Sequence, residues 1–332
     1  MASSYSNLHP VDQILTGLVA EAIPSDAQLI ADKALEAIKI PERSGTLLVE
    51  ETRNFMGAGT GLDLERAPGA SRAMIGGFDR SSQTFKAKIY SASDSIAMED
   101  IFDSQYAGSE EARIARKVSR VLKLDREKRL ADVLFNEVTS TFNTSAAASA
   151  FNATNAEPLS ELFDLKDTVF EASHGINPDT LILGRQCFRA LAKNPEVRGY
   201  VGDSTLGVAS GNNLLNDEAV LAVLRDVLGI PNIYVGQARR DTAIAGASSS
   251  ESYIWSGSKL FMGILRGSDA VVQKSGNVKG MPVAALNLQY SDMVAGQYDS
   301  LDKTRRYVWG EEVNTFHAVD GTLGHVLTGC FA

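Results

Sequence analysis

The stretch from Ser109 to Ser140 contains neither glycine nor proline, and it sets the scale of anything this chain folds into. Read as a helix of about 32 residues, it is about 48 Å long at the standard rise, well beyond the length usual in a compact domain. Ser109 suits an N-cap, and Glu110 and Glu111 place negative charge in the first turn. Its apolar stripe moves: Ile114, Val118, Val121 and Leu122 share one face, whereas Leu130, Val133, Leu134 and Val138 share another, roughly 140° around at 100° per residue. The change falls within Asp125 to Arg129. The pattern predicts a strut packed on a different body near each end, or a helix that breaks near Lys123.

The 332 residues, 44% of them apolar, are enough for two domains or for one domain with insertions. A net charge of -9 argues against a dedicated nucleic-acid binder, which would normally carry a basic face. No apolar run reaches the ~18 residues of a membrane span, and Met1 to Asn7 lacks the basic and apolar regions of a secretory signal, so a cytoplasmic origin is expected. Cys187 and Cys330 lie far apart with no metal-ligand spacing. They read as two separate small thiols rather than as a disulfide framework.

Ser25 to Gln28 have a capping-box pattern, and the helix they predict carries Leu29, Ile30, Leu35 and Ile38 as far as Pro41; Val11 to Ile23 reads as an earlier short helix. Thr46 to Thr52 and the alternating Thr84 to Tyr90 read as the arms of one long hairpin, with Phe85, Ala87 and Ile89 on one face and Lys86 and Lys88 on the other. The tip between them, Gly57 to Arg80, is rich in Gly, Arg and Asp and has no periodicity, as in loops that await a partner. Asn143 to Asn155 reads as a connection at a domain boundary. Helices are expected from Pro158 to His174, with Leu159, Leu162, Phe163, Val169 and Phe170 apolar, from Gln186 to Lys193, and around Val220 to Leu228. Strands are expected at Thr180 to Leu183, Asn232 to Val235, Tyr253 to Trp255 and Leu260 to Leu265, giving an α+β or α/β lobe. The last sixty residues read as strands, with a tight turn at Asp320 and Gly321.

Catalytic and cofactor motifs are not evident. The glycines of Gly57 to Gly61 are followed by Pro68 and Gly69 rather than by a helix, so a dinucleotide loop is not predicted. His317 and His325 flank the Asp320-Gly321 turn, but two imidazoles alone do not close a metal site. Arg113, Arg116, Lys117, Arg120 and Lys123 make the first half of the long helix basic, which suits a solvated face or a neighbouring protein.

The order of elements resembles the HK97-fold major capsid protein of tailed bacteriophages. The segments LIADKALEAIKIPERSGTLLVEETRNF, QTFKAKIYSASDSIAMEDIFD and LKLDREKRLADVLFNEVTS resemble the arm, the return of the extended loop and the spine helix. TLILGRQCFRALAKNPEVRGYV, VLGIPNIYVGQAR and YIWSGSKLFMGIL, followed by YDSLDKTRRYVWGEEVNTFHAVDGTLGHVLTG, resemble the axial domain and the closing strands. The resemblance implies an α+β capsid fold with an N-terminal arm at 1–44, an E-loop hairpin at 45–97, a P-domain at 98–156 and 266–332 with its spine at 109–140, and an α/β A-domain at 157–265. It further implies self-assembly as pentamers and hexamers into an icosahedral shell around double-stranded DNA, in a virion capsid built in the bacterial cytoplasm.

On that reading the apolar surface of the hairpin and strut is completed by other copies, and Phe85, Lys86, Lys88, Ile114, Arg116, Val118, Arg120, Leu130 and Leu134 are inter-subunit contact candidates. No catalytic residue, cofactor, metal or membrane is implied. Packaged DNA is held by non-specific contact, and portal, decoration and separate scaffolding proteins are further expected partners; no fused scaffold is expected. Some family members cross-link a hairpin lysine to a P-domain asparagine, and Lys86 or Lys88 with Asn314 stand nearest those roles, although the tip has no lysine. An encapsulin-type nanocompartment shell on the same fold, or a soluble α/β enzyme, are the alternatives.

Overall fold

The computed structural model describes residues 28–50, 65, 68, 80–103, 107–138, 141–153, 155–203, 216–243, 248–266, 271–272, 278–279 and 283–331. In chain order come helix α1 (Ala31–Ala34) and strands β1 (Ala37–Lys39), β2 (Ser44–Glu50), β3 (Arg80–Lys86) and β4 (Lys88–Ala97), then helices α2 (Met98–Asp103) and α3 (Ala107–Leu134). The next elements are β5 (Asn143–Ala146), α4 (Pro158–Ala172), β6 (Thr180–Gly184), α5 (Arg185–Lys193), α6 (Pro195–Asp203), α7 (Asp217–Leu228) and β7 (Asn232–Gly236). They are followed by β8 (Arg239–Asp241), β9 (Glu251–Tyr253), β10 (Lys259–Gly263), β11 (Val271–Val272), β12 (Val278–Lys279), β13 (Ala285–Asp299), β14 (Arg305–Ala318) and β15 (Gly324–Thr328).

Two sheets carry the architecture. One has the order β1-β13-β14-β4, with β1 parallel to β13 and the rest antiparallel; the other has the order β5-β15-β10-β6-β7. The pairs β2-β3, β8-β9 and β11-β12 stand as two-stranded ribbons.

The long helix is continuous through Lys123, so it does not break there, but it ends at Leu134 rather than at Ser140. The stop is local. Asn136 adopts φ 55°, and the Glu137 N–H donates back to the Asp132 carbonyl at 2.9 Å, the helix-ending bond made around a residue in left-handed conformation. The Asn136 side chain then pins the outgoing chain, accepting from Phe142 N and donating to the Phe142 carbonyl.

Its two faces do pack against two bodies, both within this chain. Ile114, Val118 and Leu122 sit with Ile96, Ile101, Ala295 and Val308, against the four-stranded sheet. A side chain on Gly310 of β14 would lie 3.0 Å from Val118 and 3.1 Å from Leu122, so the glycine sets how near the helix approaches. Leu130, Ala131 and Leu134 join Phe135, Trp255, Phe261, Phe316 and Leu323 in a separate core.

Between these faces lies a buried polar junction. Arg126 donates to Glu312 through Nε at 3.1 Å and also through Nη2, and to Asp32 through Nη1 at 2.7 Å. Arg129 binds Asn314 and Glu312, and its guanidinium lies 3.5 Å from the centre of the Tyr90 ring. Burial works against the Arg126 charge, but Glu312 and Asp32 outweigh it and hold its pKa above the ordinary value. Glu127 points the other way: Oε1 accepts from Trp255 Nε1 at 2.7 Å and from Ile30 N at 3.0 Å, and Oε2 from Ala31 N at 2.8 Å. The carboxylate thus serves as the N-terminal cap of α1 from across the molecule.

This anchoring corrects the expected helix to Pro41. Only one turn forms; Leu35 is already extended, and β1 runs on to pair with β13, Ala37 opposite Asn287. Ser25 to Ala27 and Val11 to Ile23 lie outside the described residues. The expected single hairpin is likewise divided: β3 pairs with β2 up to Lys86, whereas Lys88 onward belongs to the other sheet, opposite β14. Asn143 to Ala146, read as connection, is a strand parallel to β15.

In the remaining lobe the expected helices and strands form to within a few residues, and the helix α6 and strand β8 are added to them. Leu159, Leu162 and Leu165 of α4 pack with Leu181, Phe188, Leu191, Val220, Leu224 and Leu228. Gly229 (φ 65°) closes α7 and Gly175 (φ 96°) follows α4, both in the region that only glycine enters cheaply. Gly236 is constrained otherwise: a Cβ there would lie 2.2 Å from Trp255 Cγ.

Two substitutions test these constraints. Gly236→Ala forces the fully buried Trp255 to move, and we expect a loss of 2 kcal/mol or more, on the order of an overpacked core site, in chemical unfolding. Glu127→Gln keeps one acceptor for three donors and is expected to cost about 1–3 kcal/mol. Burial, opposed by those three donors, raises the Glu127 pKa above the ordinary 4.5. A raised carboxyl pKa gives stability that is complete below the unfolded value and lost as pH rises through the folded one. Unfolding titrations should therefore show wild-type stability falling relative to Glu127→Gln as pH climbs from about 4.5.

Candidate assembly surfaces

The nine candidate contact residues divide into two groups by burial. Leu130 and Leu134 have no exposed surface, Val118 is 3% exposed, and Ile114 and Phe85 are 7% exposed. Ile114, Val118, Leu130 and Leu134 are filled by their own chain, as described above, and Phe85 packs with Leu47, Ala87, Leu288 and Val313. In this structure these five belong to the subunit's own core and keep 7% or less of their surface exposed. Lys86, Lys88, Arg116 and Arg120 are exposed.

The exposed face of α3 has a definite electrostatic layout. Arg113 pairs with Glu110 at 2.9 Å, and Lys117 with Asp94 of β4 at 2.6 Å. The hydrogen bond from Lys117 holds the Asp94 carboxyl below its usual range. These pairs lie in a cleft between the end of β4 and the start of α3, completed by Asp100 and Arg305. Arg116 and Arg120, one turn apart, flank this layout, and the neighbouring Val121 is half exposed although sequence periodicity puts it on the buried face.

Two aromatic residues also depart from expectation. Phe163 and Phe170 of α4 remain 40% and 39% exposed, and with Leu159, Tyr200 and Val227 the first of them lines a groove over α4, α6 and α7. The signal was present in the sequence: each follows a buried residue, Leu162 or Val169, and so points about 100° away from the core stripe. At the end of the β13-β14 hairpin, Leu301 stands fully exposed beyond the stacked rings of Tyr298 and Tyr307.

The described residues form no group of three or more His, Cys, Asp or Glu able to hold a metal, and none of their helices is long and apolar enough to cross a membrane. His317 meets Gln83 at 2.9 Å and His325 meets Ser145 at 2.9 Å, so the two imidazoles go to different partners. Asn314 is buried, bound by Arg129 and directly across the strand pair from Lys88, while the Gly57 to Gly61 loop lies outside the described residues. Among the described residues the geometry offers exposed cations, aromatic faces and a hairpin end around a closed core.

No protein-family model matches the chain. A major capsid protein of Pseudomonas phage JBD67 is 23% identical over 250 residues, which cover 70% of this chain and 76% of that protein. Among solved structures, a phage-related protein from Bordetella bronchiseptica superposes with a TM-score of 0.65 at 16% identity, covering 97% of this chain and 98% of the other. The capsid subunit of an empty GTA particle gives a TM-score of 0.55 at 12% identity, covering 93% and 91%. Element order, sheet topology and these likenesses agree: the chain has the HK97-type fold of phage major capsid proteins.

Proposed function

We propose that this protein is a structural subunit that self-assembles, as pentamers and hexamers, into the icosahedral shell of a tailed phage and encloses its double-stranded DNA. The likeness to a named major capsid protein over most of both chains is the observation that carries the reading. The distribution of surface supports it, because the subunit closes its own cores and leaves its unpaired cations and aromatic faces outside. Lys86, Lys88, Arg116 and Arg120 are the contact residues of this proposal.

The same reading divides the chain into an arm (1–44), an E-loop (45–97), a P-domain (98–156 and 266–332) and an A-domain (157–265). The β2-β3 ribbon, which hydrogen-bonds into neither large sheet, supports the second part, and the core built from α4 to α7 supports the last. Phe151, Leu327 and Cys330 enter that core from outside the A-domain range, so the two domains share packing.

Cryo-electron microscopy of the native particle should show closed shells built of this chain, with DNA inside; enzyme cargo in place of DNA would identify a nanocompartment, and only monomers from native material would overturn the shell. A second comparison separates contact from core. Arg116→Glu with Arg120→Glu should leave the melting temperature of the isolated subunit within about 2 °C of wild type, as surface changes do, while shell yield drops at least tenfold. Leu134→Asp should unfold the subunit itself, since it buries an unpaired charge. Normal shell yield from the double variant would remove that helix face from the contacts.

A further inference from the structure

The four-stranded sheet ends on β4, and that edge is open. β4 pairs with β14 without a bulge from Lys88 to Ala97. Its backbone parity is fixed at one end: Met98 N, next along the chain, donates to the Thr304 carbonyl at 2.8 Å, so even-numbered residues turn their polar backbone toward β14. The Ser95 N–H accordingly points away, and it donates to the Asp94 side chain at 2.9 Å. Ile89, Ser91 and Ser93 therefore aim N–H and C=O outward, and among the described residues no strand meets them there. Edges of this length are usually guarded by proline, lysine or a bulge. Ile89 to Ser93 has none of these, and its three outward residues are exposed. The helix above leaves a matching gap. Lys117 marks the β4 side of α3, because it reaches Asp94. At 100° per residue Val121 and Leu124 lie within about 40° of Lys117, and Val121 is 50% exposed. Along the helix both fall between Lys117, beside Asp94, and Arg129, over Tyr90, which places them above the middle of the open edge.

We propose that this edge is where two copies of the chain join, β4 running antiparallel to β4 of the second copy about a two-fold axis through Ser91. Outward residues must meet outward residues, and within the open segment this register alone sets Lys88 opposite Asp94 of the second copy, twice over by symmetry. It also sets Tyr90 opposite Ala92, a large side chain against a small one. A centre at Ala92 would put Lys88 against Ile96, and a centre at Tyr90 would draw in Lys86, which already pairs with β2. The pairing satisfies the free N–H and C=O groups, and two sheets of four strands become one of eight. Strands ~4.8 Å apart then bring the two α3 helices side by side on one face, each turning Val121 and Leu124 toward the other. An isologous contact supplies what rings of five and six lack, a link from one ring to the next, and it rests on the shell reading for that role alone.

The test places single cysteines on this edge of the full-length chain, oxidises the purified protein with diamide in whatever particles or oligomers it forms, and reads covalent dimers on non-reducing gels. Cys187 and Cys330 are buried, so the wild type serves as background. In Ser91→Cys each cysteine meets its symmetry mate at about 5.5 Å between Cα atoms, within disulfide range. It should cross-link at least tenfold more than Ile89→Cys or Ser93→Cys, whose mates lie four residues off, on the order of 13 Å. Adding Ser93→Pro removes one outward N–H and no bond to β14, so the cross-link should be lost while unfolding stays cooperative. Lys88→Asp in the Ser91→Cys background sets carboxylates face to face and should cut the cross-link several-fold. Equal cross-linking at the three positions, or none in Ser91→Cys, would overturn the pairing. Shells built from uncross-linked Ser91→Cys chains would overturn it and leave the shell reading intact, whereas cross-linked dimers without shells would uphold it on its own.

Discussion

Arg126, Glu127 and Arg129 occupy one turn of a helix whose other buried residues, Ser119 apart, are apolar, and the rest of the molecule is arranged around them. Two of the three reach the strand β14 through Glu312 and Asn314, and the third reaches the start of the described chain and Trp255. A fully buried carboxylate such as Glu312 is tolerated only when its charge and lone pairs are met, and here two guanidinium groups meet it. The orientation of α3, the seat of β1 and the position of Trp255 are consequently coupled. Removing one member strands its partners out of reach of water, which costs far more than the pair itself contributes.

That coupling explains how a 28-residue helix can serve as a strut within one subunit. Its first half lies on the four-stranded sheet, its second half enters the core around Phe135 and Trp255, and the polar junction fixes the rotation between them. The surface left exposed on the strut is mainly charge, with Val121 the half-exposed apolar exception. Exposed ion pairs of that kind are individually weak.

Much of this was legible in the sequence, and the omissions have definite causes. The shift of the apolar stripe at Asp125 to Arg129 correctly announced two packing bodies, yet periodicity alone cannot say whose atoms supply them; both came from the same chain. The helix through Ile30 was cut to one turn because a carboxylate 97 residues away caps it and β13 offers its successor a parallel partner. Phe85 and Lys88 sit in one alternating run but in two different sheets, since alternation reports a strand and not its partner. By contrast, α4, α5, β6 and α7 were read closely, because each is ended by nearby Pro or Gly and buries a stripe in one core.

The pairing of β1, β4 and β5 sets the order of events during synthesis. Their partners are β13, β14 and β15, the last three strands of the chain. While the ribosome is still making the middle of the protein, these earlier strands have nothing to pair with in their own sheets, whereas β6, β7 and β10 can already associate. The lobe between α4 and β10 is thus able to fold first, and the frame that holds the strut closes only when the C-terminal strands emerge. A chain that stops short of residue 285 keeps three open strand edges and an unseated helix. Such a fragment lacks the surfaces of a finished subunit, so translation itself withholds incomplete copies from whatever structure the complete ones build.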